Sequence, residues 1–421
     1  MSTITLFPPI GTGPYNPVYI QFPIGSLDAF GRLQVANPYT LFDSQNRYAA
    51  DNQFSQSTTG SGTTSFLPNE AAVKLEVTAA GAGSAVRQSY RCMPYQPGKG
   101  LLVLATFVMD SNNSPNLTQR AGYYNDQNGV FFQRVDGTFS FVLRSYVTGV
   151  VSDARTVNQS SWNGDKLDGS GPSGYTLDPT KAQILWMDFE WLGVGSVRCG
   201  FVINGQFILC HTFNNANLIT NVYMTTATLP MRYEIISTSA IAASLKQICC
   251  TVISEGGYEQ DSIEHVARRT TVFTNIDTSA DFYPILSIRL ASSRLGAVVI
   301  PTRIQFQPTT LQNYEIALIK NPTLVTATWA ATVPSDSNVE YDVAATTISA
   351  GTGTIVQTGY IANSGGGGQT NTISPTGYNW DLQIGASLAN VSDIYTLGVR
   401  TISGATKGDG VGSISFYDLT Q

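Results

Sequence analysis

Beyond about residue 66, short stretches of alternating or continuous apolar residues are separated by turn-forming ones. AAVKLEVTA (71–79) alternates with a period of two, which predicts a strand with one buried face. GLLVLATFVM (100–109) is apolar throughout and predicts a strand buried on both faces. GVFFQRVDGTFSFVLRS (129–145) predicts a hairpin turning at Asp136-Gly137. QILWMDFEWLGVG (183–195) and LPMRYEIIS (229–237) predict two further strands. AIAASLKQI (240–248) fits one short helix or a strand ending in Cys249-Cys250, and no long helical period occurs. Many strands joined by short turns predict a sandwich or jelly roll.

FVINGQFILCH (201–211) carries the strongest short-range hairpin signal, Asn204-Gly205. Counting outward, Ile203 lies opposite Gln206, Val202 opposite Phe207, Phe201 opposite Ile208 and Gly200 opposite Leu209. Cys199 then faces Cys210, and Arg198 faces His211 as a cross-strand polar pair. Phe201, Ile208 and the cysteines share one face; Val202, Phe207 and Leu209 share the other. Both faces are apolar, so both are expected to be covered, one by the sandwich core and one by the arm, a second domain or another subunit. The opposed cysteines read as buried free thiols, because a hydrogen-bonded cross-strand pair splays its side chains.

The fold expected is all-β: a jelly-roll β-sandwich, a second β-sandwich domain and an extended N-terminal arm. Residues 1–65 form the arm, since FPPIGTGPYNPVY is too rich in Pro and Gly for a helix and SQSTTGSGTTS (55–65) reads as a polar loop. The jelly roll occupies 66–257. The charged stretch EGGYEQDSIEHVARR (255–269) reads as a linker, and 270–421 as the second sandwich. GGGG (365–368) reads as a surface loop tip.

Composition narrows the function. Charged residues make up only 12% of the 421, against about 25% in an ordinary globular domain, so Ser, Thr, Asn and Gln fill most polar positions. The net charge of −6 and the lack of a basic run argue against nucleic-acid binding. No apolar stretch approaches the roughly 20 residues that cross a bilayer, and the N-terminus lacks the pattern of a secretory signal. Membrane insertion and general secretion are not expected. Five scattered cysteines and two distant histidines make neither a zinc site nor a His-based catalytic centre, so no metal and no cofactor is expected. Asp126, Asn128, Asp165 and Asp168 lie in Asn/Asp/Gly loops; they offer oxygen ligands of the kind calcium takes, but turn chemistry alone explains them.

LWMDFEWLG (185–193) places Trp186, Asp188 and Glu190 on one face of a strand and Leu185, Met187, Phe189 and Trp191 on the other. This stretch resembles the active-site strand of the laminarinase and lichenase glycoside hydrolases, which have a concanavalin-like jelly roll and a Glu-x-Asp-x-Glu pattern. The resemblance puts Asp188 at the middle acid and Glu190 at the acid/base, with Trp186 where the nucleophile belongs. A retaining mechanism needs that missing carboxylate. The expectation is therefore a carbohydrate-binding face of Trp186, Asp188 and Glu190 with no catalytic residue; the alternative is a polysaccharide hydrolase acting through Glu190 and Asp188. VRCGFVINGQFILC is similar to the strand–turn–strand of lamin-G and concanavalin-like modules.

GRLQVANPYTLFDSQ, YQPGKGLLVLATFV, GVFFQR, SWNGDKLDG, LDPTKAQILWMDFEWLGVGSVRCGFVINGQ and ANLITNVYMTTATLPMRYEI together resemble structural proteins of tailed bacteriophages, especially aquatic ones, over about residues 31–257. The resemblance implies a virion component, such as a capsid decoration, a head or tail appendage or a fibre, assembled in the host cytoplasm. It implies a homo-oligomer, with a trimer favoured, together with other virion proteins and a host-surface glycan as partners. It implies no enzymatic activity.

Overall fold

Asn204 and Gly205 adopt φ of 51° and 77°, and Asp136 and Gly137 adopt 50° and 82°. Positive φ at both central positions is the type I′ turn, whose twist matches that of the flanking strands. These turns close two of the hairpins in a computed structural model of the protein. The structure describes residues 3–6, 18–21, 27–29, 31–33, 35–258, 262–278, 281–331, 337–362, 371–373, 380–402 and 406–420. The predicted loop tip at 365–368 lies outside them. The chain divides into two units, 1–89 with 93–259 and 90–92 with 260–421.

In the first unit, β1 (Thr3–Leu6) and β2 (Val18–Gln21) pair with each other. There follow β3 (Pro38–Gln45), β4 (Phe54–Gly60), β5 (Gly62–Leu67), β6 (Ala72–Val77), β7 (Gly83–Ser89) and β8 (Leu101–Met109). Next are β9 (Leu117–Tyr124), β10 (Gly129–Val135), β11 (Thr138–Ser145) and β12 (Ser152–Asn158). The last are β13 (Gln183–Phe189), β14 (Val197–Ile203), β15 (Gln206–Phe213), β16 (Met231–Ser237) and β17 (Ala243–Glu255). One sheet has seven strands in the order β12-β11-β10-β9-β16-β7-β4. The other has eight, running β15-β14-β13-β8-β17-β6-β5 with β3 beside part of β17. The two sheets make the jelly-roll sandwich. Its core is aromatic: Phe132 meets Phe107 at 6.0 Å and Phe201 at 5.1 Å between ring centroids, and Tyr123 meets Phe189 at 5.7 Å.

The second unit is also all-β. One sheet joins Glu264–Arg268, Gly408–Asp418, Val299–Pro308 and Asn371–Ile373 in that order, with Phe273–Ile276 also against Gly408–Asp418. A six-stranded sheet contains Tyr283–Leu290, Ile394–Thr401 and Tyr314–Lys320 as neighbours. Ile285, Leu286, Phe306, Tyr314, Leu397 and Phe416 belong to its buried core.

Three expectations change and one is resolved. The arm is shorter than 1–65, because 38–67 supply β3, β4 and β5. The Ser/Thr-rich stretch 55–65 is a pair of consecutive edge strands, one in each sheet, joined at Gly60 with φ of 55°. Exposed edge strands are polar, which is why this stretch reads as a loop. Of the two alternatives for 240–248 the strand holds, as β17, which begins at Ala243 and runs 13 residues, past Cys249-Cys250. The supposed linker contains the strand Glu264–Arg268, paired with Gly408–Asp418. Finally, β8 is not buried on both faces: its burial alternates, leaving Leu102, Leu104, Thr106 and Val108 half-buried on the outer face.

Candidate functional site

The outer face of β13 was the expected sugar site. It is closed. Trp186 is 1% exposed. Its indole lies across Gly200 of β14, where a Cβ would fall 2.8 Å from Nε1, and the Nε1–H donates to the Ile208 carbonyl of β15 at 3.3 Å. Phe207 meets it edge-on at 5.5 Å and the Arg198 guanidinium lies 5.9 Å from its ring centroid. A buried indole offers no face for a sugar to stack on, so Trp186 packs the sheet.

The two acids are committed to arginines. Asp188 pairs with Arg198, and Glu190 accepts from Arg32 Nη2 at 2.7 Å. Arg32 sits in a tight turn that Gly31 permits with φ of 78°; the Arg32 amide donates to Asp28 Oδ1 at 2.7 Å and its Nε pairs with the same carboxylate. Arg198 Nη2 also donates to the Leu27 carbonyl. Leu27, Asp28 and Arg32 thus lie against β13 and β14, tied by Asp28, Asp188, Glu190 and Glu255 on one side and Arg32 and Arg198 on the other. Burial pushes the Asp188 carboxyl up to about 6 despite the pull of Arg198. Burial also raises Glu190, against the pull of Arg32.

The hairpin register holds as far as Gly200, opposite Leu209. A bulge then shifts it: Cys199 faces His211 and Arg198 faces Thr212, so neither the Cys199–Cys210 opposition nor the Arg198–His211 pair forms. Arg198 instead faces Asp188 across β13. Cys199 and Cys210 are buried free thiols. β15 is an edge strand, so the hairpin's outer face is half-open: Val202, Phe207 and Leu209 are only half-buried.

The opposite sheet carries a second polar face that the sequence reading missed. On β9, β10, β11 and β16 the inward positions include Tyr123, Phe132, Phe141 and Tyr233. The outward ones are Arg120, Tyr124, Phe131, Gln133, Val142, Arg144, Arg232 and Glu234. Gly122 leaves room for the Phe131 side chain, since a Cβ there would lie 2.6 Å from Phe131 Cβ. Tyr124 and Phe131 lean together at 4.3 Å and, with Val142, make a buried apolar floor. Three guanidiniums lie on it: Arg120 5.5 Å from Phe131, Arg144 5.1 Å from Phe131, and Arg232 5.4 Å from Tyr124. Stacking of guanidinium on aromatic faces holds the cations flat on the sheet.

Glu234 accepts from Arg232 Nη2 at 3.0 Å and Arg120 Nη1 at 3.3 Å. Burial pushes its carboxyl up, but Arg232 and Arg120 outweigh that and hold it below the usual range. Arg144 binds Asp153 through Nε and Nη2, both at 2.8 Å. Arg120 Nε donates to Gln133 Oε1 at 3.1 Å. These polar groups form a rigid array on neighbouring strands, largely buried and bonded to one another, with Arg120 the most exposed of the three guanidiniums. A partial signal for it exists in the sequence: in a chain so poor in charge, Arg144, Arg232 and Glu234 interrupt predicted strands, whereas no strand is predicted around Arg120.

Of the Asn/Asp candidates, Asp126 pairs with Arg232 and the others accept from backbone amides. Asp165 accepts from the amides of Leu167 and Ser173, Asp168 from that of Ser170, and Asn128 Oδ1 from those of Thr225 and Tyr146. Among the described residues no group of three or more His, Cys, Asp or Glu is placed to hold a metal ion.

No family model matches the chain, and no curated protein matches its sequence. Solved structures resemble about half of it. The carbohydrate recognition domain of Emp47p is 9% identical, with a TM-score of 0.31, over 51% of this chain and 94% of that one. A protein of unknown function from Shewanella oneidensis MR-1 is 10% identical, with a TM-score of 0.34, over 56% and 94%. A carbohydrate esterase of the Shiga toxin-encoding bacteriophage phi24B is 10% identical, with a TM-score of 0.32, over 52% and 99%. At these values the likenesses bear on neither activity nor ligand.

Proposed function

We propose that the protein is a non-enzymatic structural component of a tailed-bacteriophage virion, a decoration, appendage or fibre that presents a glycan-binding face for host attachment. The virion assignment rests on the sequence resemblance over residues 31–257. The glycan-binding part rests on one structural observation: the guanidinium, amide and carboxylate array on the outward face of β9, β10, β11 and β16, held on an aromatic floor. The hydrolase alternative is disfavoured by the geometry of β13, where Asp188 and Glu190 are engaged by Arg198 and Arg32 and Trp186 replaces the nucleophile.

Incubating the purified protein with bacterial surface polysaccharides tests both readings, with retention and new reducing ends scored together. Retention without new reducing ends is expected. Release of reducing ends that disappears in Glu190→Gln would replace this reading with the hydrolase.

A further inference from the structure

The three arginines on the β9–β11 and β16 face are not equally satisfied, and the inequality points to a class of ligand. Arg144 is clamped by both oxygens of Asp153. Arg232 is 8% exposed at its side chain, yet its Nε is buried with no hydrogen-bond partner among the described residues. Its Nη1 reaches Gln88 Oε1 at 3.2 Å and Asp126 Oδ1 at 2.6 Å. Arg120, with 19% of its side chain exposed, uses Nε and Nη1 on Gln133 and Glu234. Asp126 is different from every other group here: it stands on the β9–β10 turn with its side chain 80% exposed, and Arg232 is the only partner of its carboxylate among the described residues.

We infer that this face takes a carboxylate-bearing saccharide, and that Asp126 occupies the carboxylate position beside Arg232 until such a ligand displaces it. The inference rests on the glycan-binding reading above and names its ligand class. Asp126 is 80% exposed and held by this contact alone among the described residues, so another carboxylate can take its place beside the buried Arg232 guanidinium. Arg232 cannot turn elsewhere, because Glu234 and the Tyr124 ring fix its plane. A ligand carboxylate arriving there meets a guanidinium already desolvated and oriented, the condition under which charge-assisted hydrogen bonds are strong. Gln88, which accepts from Arg232 through Oε1, lies beside it to meet a hydroxyl group.

Electrophoresis of the full chain through gels containing polygalacturonate, alginate or polysialate, with dextran, laminarin and pullulan as uncharged comparisons, tests this. Retardation by at least one acidic polymer is expected and should fall as salt is raised. Asp126→Asn, an exposed change that leaves the fold alone, should strengthen that retardation about fivefold by removing the competitor. Arg232→Lys, which keeps the charge but loses the guanidinium fork, should weaken it about tenfold. Retention on neutral polymers alone, or acidic retention indifferent to Asp126→Asn, would overturn the inference while leaving the glycan-binding reading in place. Equal capture of duplex DNA would overturn it in favour of a general polyanion surface. Retention on no polymer would overturn both.

Discussion

Trp186 shows how one side chain changes role when its surroundings are filled in. In sequence it shares a strand face with two acids. In the structure it is a wedge across Gly200 beneath Phe207. Trp186→Ala should destabilise the first unit by about 3–5 kcal/mol in denaturant unfolding and leave glycan retention unchanged. Asp188 makes a pH-dependent contribution whose sign follows from its surroundings. Its folded value of about 6 lies above the ordinary 3.8, so the stability it adds is complete below about 3.8 and is lost as pH rises through 6. His211 runs the other way. Burial, with Arg155 nearby, holds it down to about 4, so its contribution is present above 6.5 and lost as pH falls toward 4. The two oppose each other in the melting profile of the wild type. Subtracting the profile of Asp188→Asn isolates the first: the wild type should lose stability relative to the variant between pH 4 and pH 7, and a flat difference contradicts the assignment.

At the scale of elements, the turn chemistry of Asn204-Gly205 and Asp136-Gly137 was legible because it depends on two adjacent residues and a local backbone requirement. The strands beside them were legible for the same reason. The bulge after Gly200 was not, since it depends on how β15 ends as an edge strand. Nor was the contact made beside Asp188 and Glu190 by Leu27, Asp28 and Arg32, more than 150 positions away in sequence. Alternation within 229–237 placed Arg232 and Glu234 on one face, but β9 was not predicted; only strand order brings Arg120 and Arg232 together on Glu234. Gly200→Ala follows from this scale. Its Cβ would fall 1.9 Å from the Ile208 carbonyl oxygen as well as against the Trp186 indole. The substitution should cost about 1–3 kcal/mol, read from the thermal midpoint, and an unchanged midpoint would mean the indole is not held there.

As a whole, the first unit of this low-charge all-β protein has two unlike outer faces: on one, Arg32 and Arg198 engage Glu190 and Asp188 at β13, and the other carries the arginine array. The proposed trimer belongs to this scale and is checked by mass in solution, for the full chain and for one lacking residues 1–26. The cut is placed before Leu27 because removal to residue 60 would delete β3 and β4 from the sheets. A trimer is expected for the full chain, and a monomer at micromolar concentration contradicts it. The central claim is that glycan binds the seven-stranded sheet and not the β13 face. Arginine-specific modification read by mass spectrometry, with and without a retained polysaccharide, tests it most directly, because Arg120 marks one face and the half-exposed Arg32 marks the other. Protection of Arg120 with Arg32 still modified is expected. Protection of Arg32 with Arg120 unaffected would contradict it and return the site to Asp188 and Glu190.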